Sequence, residues 1–271
     1  MKNEKNPCSK GNTINSQNGK DSFLQERREL TFWLQETAYC LHAPLFSILS
    51  FDDMPIFKKK QILSNLGENM RSAIIAGTPI TDPWQRAEHI VGGFTMDSAM
   101  TQAEKKTELL LFELADRLDL LGFNNVTTQL PLTPYNHPDI EILEFAGIGY
   151  IGKNNLPQVN EFGCRVNLGI IFTNAPLNSS NNAIGPSSHY SCENCNLCVE
   201  HCPCGALSDG FFDEEKCVNF RNAQENQLHY SPYTVLKCDI CMRICPNGTL
   251  GKWDSSIVSW EEILKTRRIN F

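Results

Sequence analysis

With 271 residues, 41% of them apolar, the chain can bury one large core or two smaller ones. Its formal charge of -7 excludes a broad phosphate-binding surface, though not a local basic groove. Residues 1–20 are polar and lack the apolar core of a secretory signal, and no apolar run approaches a membrane span. The expectation is a cytoplasmic protein with reduced thiols and no membrane partner.

Residues 1–22 read as a disordered tail. Over 23–41, Leu30, Trp33, Leu34, Thr37 and Leu41 recur at helical spacing, and Pro44 lies beyond the end. A second helix is predicted over 55–66, opened by Pro55 and stopped by Gly67. The apolar run from Ser72 to Gly77, ahead of Pro79, suits a buried strand. The strongest helix is predicted over 101–121. Thr101 caps it, Glu104 completes a capping box, Gly122 stops it, and Leu110, Leu114, Leu118 and Leu121 form its buried face. Residues 125–130 and 165–172 read as strands, and Pro138 opens a short helix over 139–145. Strands alternating with helices imply an α/β layer. Residues 179–188 form a polar linker, and the last stretch, 260–268, reads as helical.

Beyond the linker, Cys192-Glu193-Asn194-Cys195-Asn196-Leu197-Cys198-Val199-Glu200-His201-Cys202-Pro203 is the spacing Cys-x2-Cys-x2-Cys-x3-Cys-Pro. This is the bacterial run for a [4Fe–4S] cluster. Two-residue gaps let a short loop offer three thiolates to one cube, while the fourth cysteine serves a second cluster. The expected partner follows as Cys238, Cys241 and Cys245-Pro246, with Val235 where a further cysteine would stand. Cys217, further upstream, can replace it. The assignment is Cys192, Cys195, Cys198 and Cys245 for cluster one, and Cys202, Cys217, Cys238 and Cys241 for cluster two. Structural zinc and disulfides are the competing readings; zinc favours separated Cys-x2-Cys pairs and has no use for the Cys-Pro ending.

Of the remaining cysteines, Cys8 lies in the tail, Cys40 and Cys164 read as small core residues, and Cys204 as a buried inert thiol. His137, His189 and His201 make no metal motif such as H-E-x-x-H.

Between the short helix and the last strand, Gly147-Ile148-Gly149-Tyr150-Ile151-Gly152 matches G-x-G-x-x-G. It follows a helix instead of a strand, and no acidic residue stands about twenty positions on to hold a ribose, so a dinucleotide fits poorly. A structural turn is the plain alternative.

The stretch from Ala146 to Asn154 resembles the loop of epoxyqueuosine reductases, cobalamin-dependent enzymes distantly related to reductive dehalogenases. The likeness continues through Glu161-Phe162-Gly163, then Leu168 to Thr173, then the two cysteine runs; Ser72 to Ile80 is similar to that family's early strand. The chain looks like a shortened and divergent member. The resemblance implies an α/β domain holding cobalamin beside two [4Fe–4S] clusters that feed it electrons, for reductive removal of an epoxide oxygen from a tRNA base. It implies Gly147, Gly149, Tyr150, Gly152, Lys153 and Asn154 as the corrinoid-lining residues. The family's arginine–aspartate–tyrosine–histidine string is replaced by the stretch from Gly93 to Ala99, where Asp97 is the nearest carboxylate; Tyr150 and Lys153 are the other candidate proton donors. The stretch after Cys245 is short against the family's basic tRNA-gripping region, which weighs against tRNA as a partner.

The fold class expected is therefore α+β or α/β. Residues 1–22 are a tail, 23–184 a mixed α/β domain, 185–250 a small two-cluster ferredoxin-like domain and 251–271 a C-terminal tail. The function expected is an iron–sulfur oxidoreductase supplied by a redox partner or reductant, the alternative being an electron-transfer protein with no chemistry of its own.

Overall fold

In the computed structural model, described residues are 19–67, 69–80, 94–130, 142–159, 162–180, 192–208, 210–227 and 238–247. The tails 1–18 and 251–271, with Cys8 and the terminal helix, lie outside them, as do His137, Pro138 and His189.

Two apolar runs that are buried along most or all of their length organise the molecule. Strands β1 (Leu45–Ser50), β2 (Ser72–Pro79), β3 (Asn125–Gln129) and β6 (Val166–Thr173) form one sheet in the order β1-β2-β6-β3. All of β6 and the first six residues of β2 are buried. Both sheet faces are covered, so the central strands show no polar alternation. On one face Ile48, Ile74 and Ile171 meet Leu30 and Leu34 of helix α1 (Gly19–Cys40) and Leu111, Leu114 and Leu118 of α3 (Phe94–Leu120). On the other, Ala73, Ile75, Ile170 and Phe172 meet Phe51, Leu143 of α4 (Ile142–Phe145) and Ile62 of α2 (Ile56–Leu66).

Every neighbouring pair in the sheet is antiparallel. β2 and β3 thus run the same way on either side of β6, with α3 connecting them, a split β-α-β unit. The fold is mixed α/β, as expected, but its sheet is antiparallel because the last strand inserts between two strands formed earlier in the chain.

Several local expectations are corrected. β1 was not foreseen: its run Leu-Phe-Ser-Ile-Leu-Ser is buried on both faces and carries no alternation. α3 begins at Phe94, so Thr101 lies inside the helix instead of capping it. Leu121 is 45% exposed, because the helix ends at Leu120 and the chain turns through Gly122 at φ 83°. There the Phe123 and Gly122 N–H groups reach back to the Leu118 and Asp119 carbonyls. Helix α1 extends back into the expected tail, to Gly19. Cys40 falls off the buried Leu30, Leu34, Ala38 stripe; it is half-buried and disulfide-bonded, so not every thiol is free.

Candidate functional site

The described part of the cysteine segment contains a 3-10 turn at Cys192–Asn194 and the helices α5 (Leu197–Glu200), α6 (Glu214–Gln227) and α7 (Ile240–Arg243). α5 packs on α7, so the two runs face each other. Cys192, Cys195, Cys198 and Cys245 line one pocket, together with Lys153 and Asn154. Cys202, Cys217, Cys238 and Cys241 line a second, together with Cys204. Each run thus contributes its last cysteine to the other's pocket. α6 carries Cys217 to the second pocket. A small hairpin, β7 (Leu207–Ser208) with β8 (Phe211–Phe212), supplies Leu207 and Phe212 to the apolar packing beside Cys198 and Ile244.

The thiols crowd one another. Burial, then Cys245, Cys192 and Cys195, push the Cys198 thiol up to about 12. Burial pushes Cys238 up to about 12 and raises Cys241 and Cys217, with neighbouring thiols adding to it. Contact with Cys164 and burial raise Cys245. Cys204 stands 3.8 Å from Cys202, sulfur to sulfur, and is raised to about 11 by burial and by that neighbour. Such sites ionise together only if a cationic group offsets the charge, as a coordinated metal does for a thiol. Among the described residues, no three His, Cys, Asp or Glu side chains converge as holders of a single metal ion.

The glycine loop is a hairpin built against the first pocket. Gly147, at φ 66°, ends α4, its N–H reaching the Glu144 carbonyl. β4 (Gly149–Ile151) pairs with β5 (Pro157–Val159). A Cβ on Gly149 would collide with the Gln158 carbonyl oxygen, and one on Gly152 would stand 2.6 Å from Gln158 Nε2 and 2.8 Å from Asn154 Oδ1. The glycines therefore answer to this hairpin's own packing.

Its side chains hold the cysteine segment. The Asn154 amide donates to the Cys241 carbonyl at 3.2 Å and accepts from Gln158 Nε2 at 3.0 Å. Lys153 Nζ donates to Asn196 Oδ1 at 2.9 Å and to the Glu193 carbonyl at 3.2 Å. Tyr150 Oη lies 3.9 Å from Cys192 Sγ and accepts from Asn247 Nδ2 at 3.3 Å. Burial, then the Cys192 thiol, raise the Tyr150 phenol well above its ordinary value, so it keeps its proton. Of the candidate proton donors, Tyr150 and Lys153 thus stand at the first pocket, while Asp97 lies in the first turns of α3.

Two residues of this shell were not foreseen. Gln158 is 1% exposed and accepts from Asn247 Nδ2 at 2.9 Å. Arg165, also 1% exposed, donates to the Cys245 carbonyl at 3.1 Å and the Asn247 carbonyl at 2.5 Å. Cys164 is buried beside them, as expected of a core thiol, its Sγ 3.8 Å from the Met242 carbonyl. A charged residue at the entrance of a fully buried, mostly apolar strand was the available signal for Arg165.

No protein-family model matches the chain. An epoxyqueuosine reductase of Lactococcus garvieae is 31% identical over 139 residues, 51% of this chain and 38% of that protein. Matches to the first curated relatives cover only 21% to 38% of their length. A solved epoxyqueuosine reductase with an epoxyqueuosine-modified tRNA stem loop superposes with a TM-score of 0.53 at 18% identity, over 89% of this chain and 71% of that one. A reductive dehalogenase studied for B12-dependent dehalogenation gives 0.58 at 16% identity, over 96% of this chain and 35% of that one. Among the described residues no helix is long and apolar enough to cross a membrane. The resemblance read from the glycine loop and the cysteine runs holds as a partial and distant one: the chain is similar to epoxyqueuosine reductases in part of its sequence and across most of its fold.

Proposed function

We propose that this chain is an iron–sulfur oxidoreductase of epoxyqueuosine-reductase type, passing single electrons through two [4Fe–4S] clusters to an acceptor at the mixed α/β domain. The observation that carries the reading is the exchange of cysteines: two pockets, each lined by four thiols, three from one part of the segment and one from the other. This is the ligand pattern of a two-cluster protein. The donor set fits: the four assigned thiols gather at each pocket, and burial and neighbouring thiols raise Cys198, Cys217, Cys238, Cys241 and Cys245.

Bound there, each cluster supplies one electron at a time. The chain's own residues position and insulate. Asn154 and Arg165 fix the turns that present Cys241 and Cys245. Lys153 fixes the turn that carries Cys192 and Cys195. Tyr150 keeps a phenolic proton 3.9 Å from the Cys192 sulfur, which supports it as the candidate donor for a reduced substrate. The acceptor we favour is a corrinoid, on the likeness to the B12-dependent dehalogenase, and the substrate class to test first is modified tRNA, on the neighbour with its stem loop. Gly149 and Gly152 give the corrinoid no support, since Gln158 already accounts for them.

The engagement of Lys153 and Asn154 with the cysteine turns, instead of with open space, favours the second reading, an electron carrier without bound corrinoid. Anaerobic reconstitution separates the possibilities. Iron and sulfide should each approach about eight per chain. Cys217→Ser should abolish one cluster's EPR signal and leave the other, while Cys204→Ala keeps both. Full zinc with negligible iron would sink the proposal. Saturable cobalamin binding that weakens in Lys153→Ala supports the enzyme; reducible clusters with no cobalamin response support the carrier.

A further inference from the structure

Arg165 is the most buried cation of the described residues, and none of their carboxylates pairs with it. Its side chain is 1% exposed. The two terminal nitrogens donate to the Cys245 and Asn247 carbonyls, and Nε, itself buried, has no hydrogen-bond partner. A guanidinium carries its charge wherever it is placed, and a buried charge without a counter-charge is costly. Arg165 acts electrostatically on Cys245, a thiol of the first pocket, and on the buried core thiol Cys164.

At the second pocket, Glu214 and Arg221 of α6 act on Cys217 with opposite sign, and the Arg221 Nε is likewise buried without a hydrogen-bond partner among the described residues. Asp239, 3% exposed, follows Cys238. At the first pocket the buried positive charge of Arg165 has no carboxylate among the described residues to offset it.

We infer that Arg165 is the counter-charge of cluster one and raises its reduction potential. This rests on the two-cluster reading. Reduction adds one negative charge to a cluster and its thiolates. A buried cation beside Cys245 favours that reduced form. Arg165 is a positioning and tuning residue: it touches the backbone of the ligand turn, not a substrate.

The test is potentiometric titration followed by EPR, with dithionite as reductant, on the full chain. Cys217→Ser isolates the cluster-one signal while leaving Arg165 intact. That signal identifies which of the two wild-type potentials belongs to cluster one. Arg165→Gln should then shift cluster one to lower potential by a tenfold or greater change in its reduction equilibrium, about 59 mV for one electron, with cluster two unmoved. Arg165→Lys, which keeps the charge but not the fork, should retain most of the wild-type value. Loaded Arg165→Gln with an unchanged potential and lowered thermal stability would show that the residue only braces the Cys245 turn. Failure of the wild type to take up iron and sulfide would instead sink the two-cluster reading itself.

Discussion

At the scale of single residues, Gln158 joins the glycine loop to the cysteine turns. It is buried, donates to Asn154 Oδ1 and accepts from Asn247 Nδ2, and the Cys245 thiol lies 3.7 Å from its Oε1. Replacing it with an apolar side chain of similar size leaves those amides buried without partners, at about 1–3 kcal/mol for each group left unsatisfied. Gln158→Leu should therefore lower the thermal midpoint and speed bleaching of cluster one in air, at unchanged initial iron content. Wild-type stability and bleaching would show that the network bears no structural weight. The same geometry limits what glycine variants can report. A side chain at Gly149 collides with the Gln158 backbone before it meets any ligand, so lost cofactor binding in Gly149→Ala is expected from hairpin damage alone.

At the scale of elements, α6 brings Cys217 to the second pocket, and its start depends on Asp213. The Lys216 backbone N–H donates to Asp213 Oδ1 at 3.0 Å, which, together with the Lys216 side chain 3.3 Å away, holds the carboxyl below its ordinary range. A depressed carboxyl contributes stability that is fully present above its unfolded-state value and is lost as pH falls through the lowered folded value. Cluster two should thus become more labile than cluster one on acidification through the carboxylate range. Asp213→Ala should show that lability already at neutral pH, read by the cluster-two EPR signal. Equal loss of both signals in both proteins would refute the capping role. Much of this was legible beforehand. The short gaps sorted seven cysteines into two sets and the ligand count added Cys217, and the same eight line the two pockets. The 3.6-residue period foretold α1 and most of α3, and Pro55 with Gly67 foretold α2. What was hidden depended on contacts distant in sequence: β1 and the β4–β5 hairpin have no period to read, and Arg165 gains its meaning only from Cys245 and Asn247, some 80 positions away.

At the scale of the whole molecule, the sheet and the cysteine segment share a core. Ile80, Met100, Leu156 and Cys164 from the first part of the chain and Met242 from α7 are buried in one cluster, with Cys241 and Cys245 packed against it. The Asn154 and Arg165 hydrogen bonds cross the same boundary. A group bound to Cys241 or Cys245 therefore stabilises the folded sheet as well as the segment, by ordinary linkage. Heating loaded protein anaerobically should bleach the cluster absorbance and melt the far-UV circular dichroism in one coincident transition, as a cooperative unit does. Met242→Ala removes the side chain of α7 that enters this core, at about 2–5 kcal/mol for a large-to-small change in a buried site. It should lower both midpoints together, though Met242 belongs to neither pocket's ligand set. Chelation of the clusters should lower the dichroism midpoint of wild-type protein in the same direction. Bleaching that is complete well below the dichroism transition, with Met242→Ala moving only the bleaching, would show instead that the cysteine segment unfolds as a separate unit and that the shared core is too weak to couple it to the sheet.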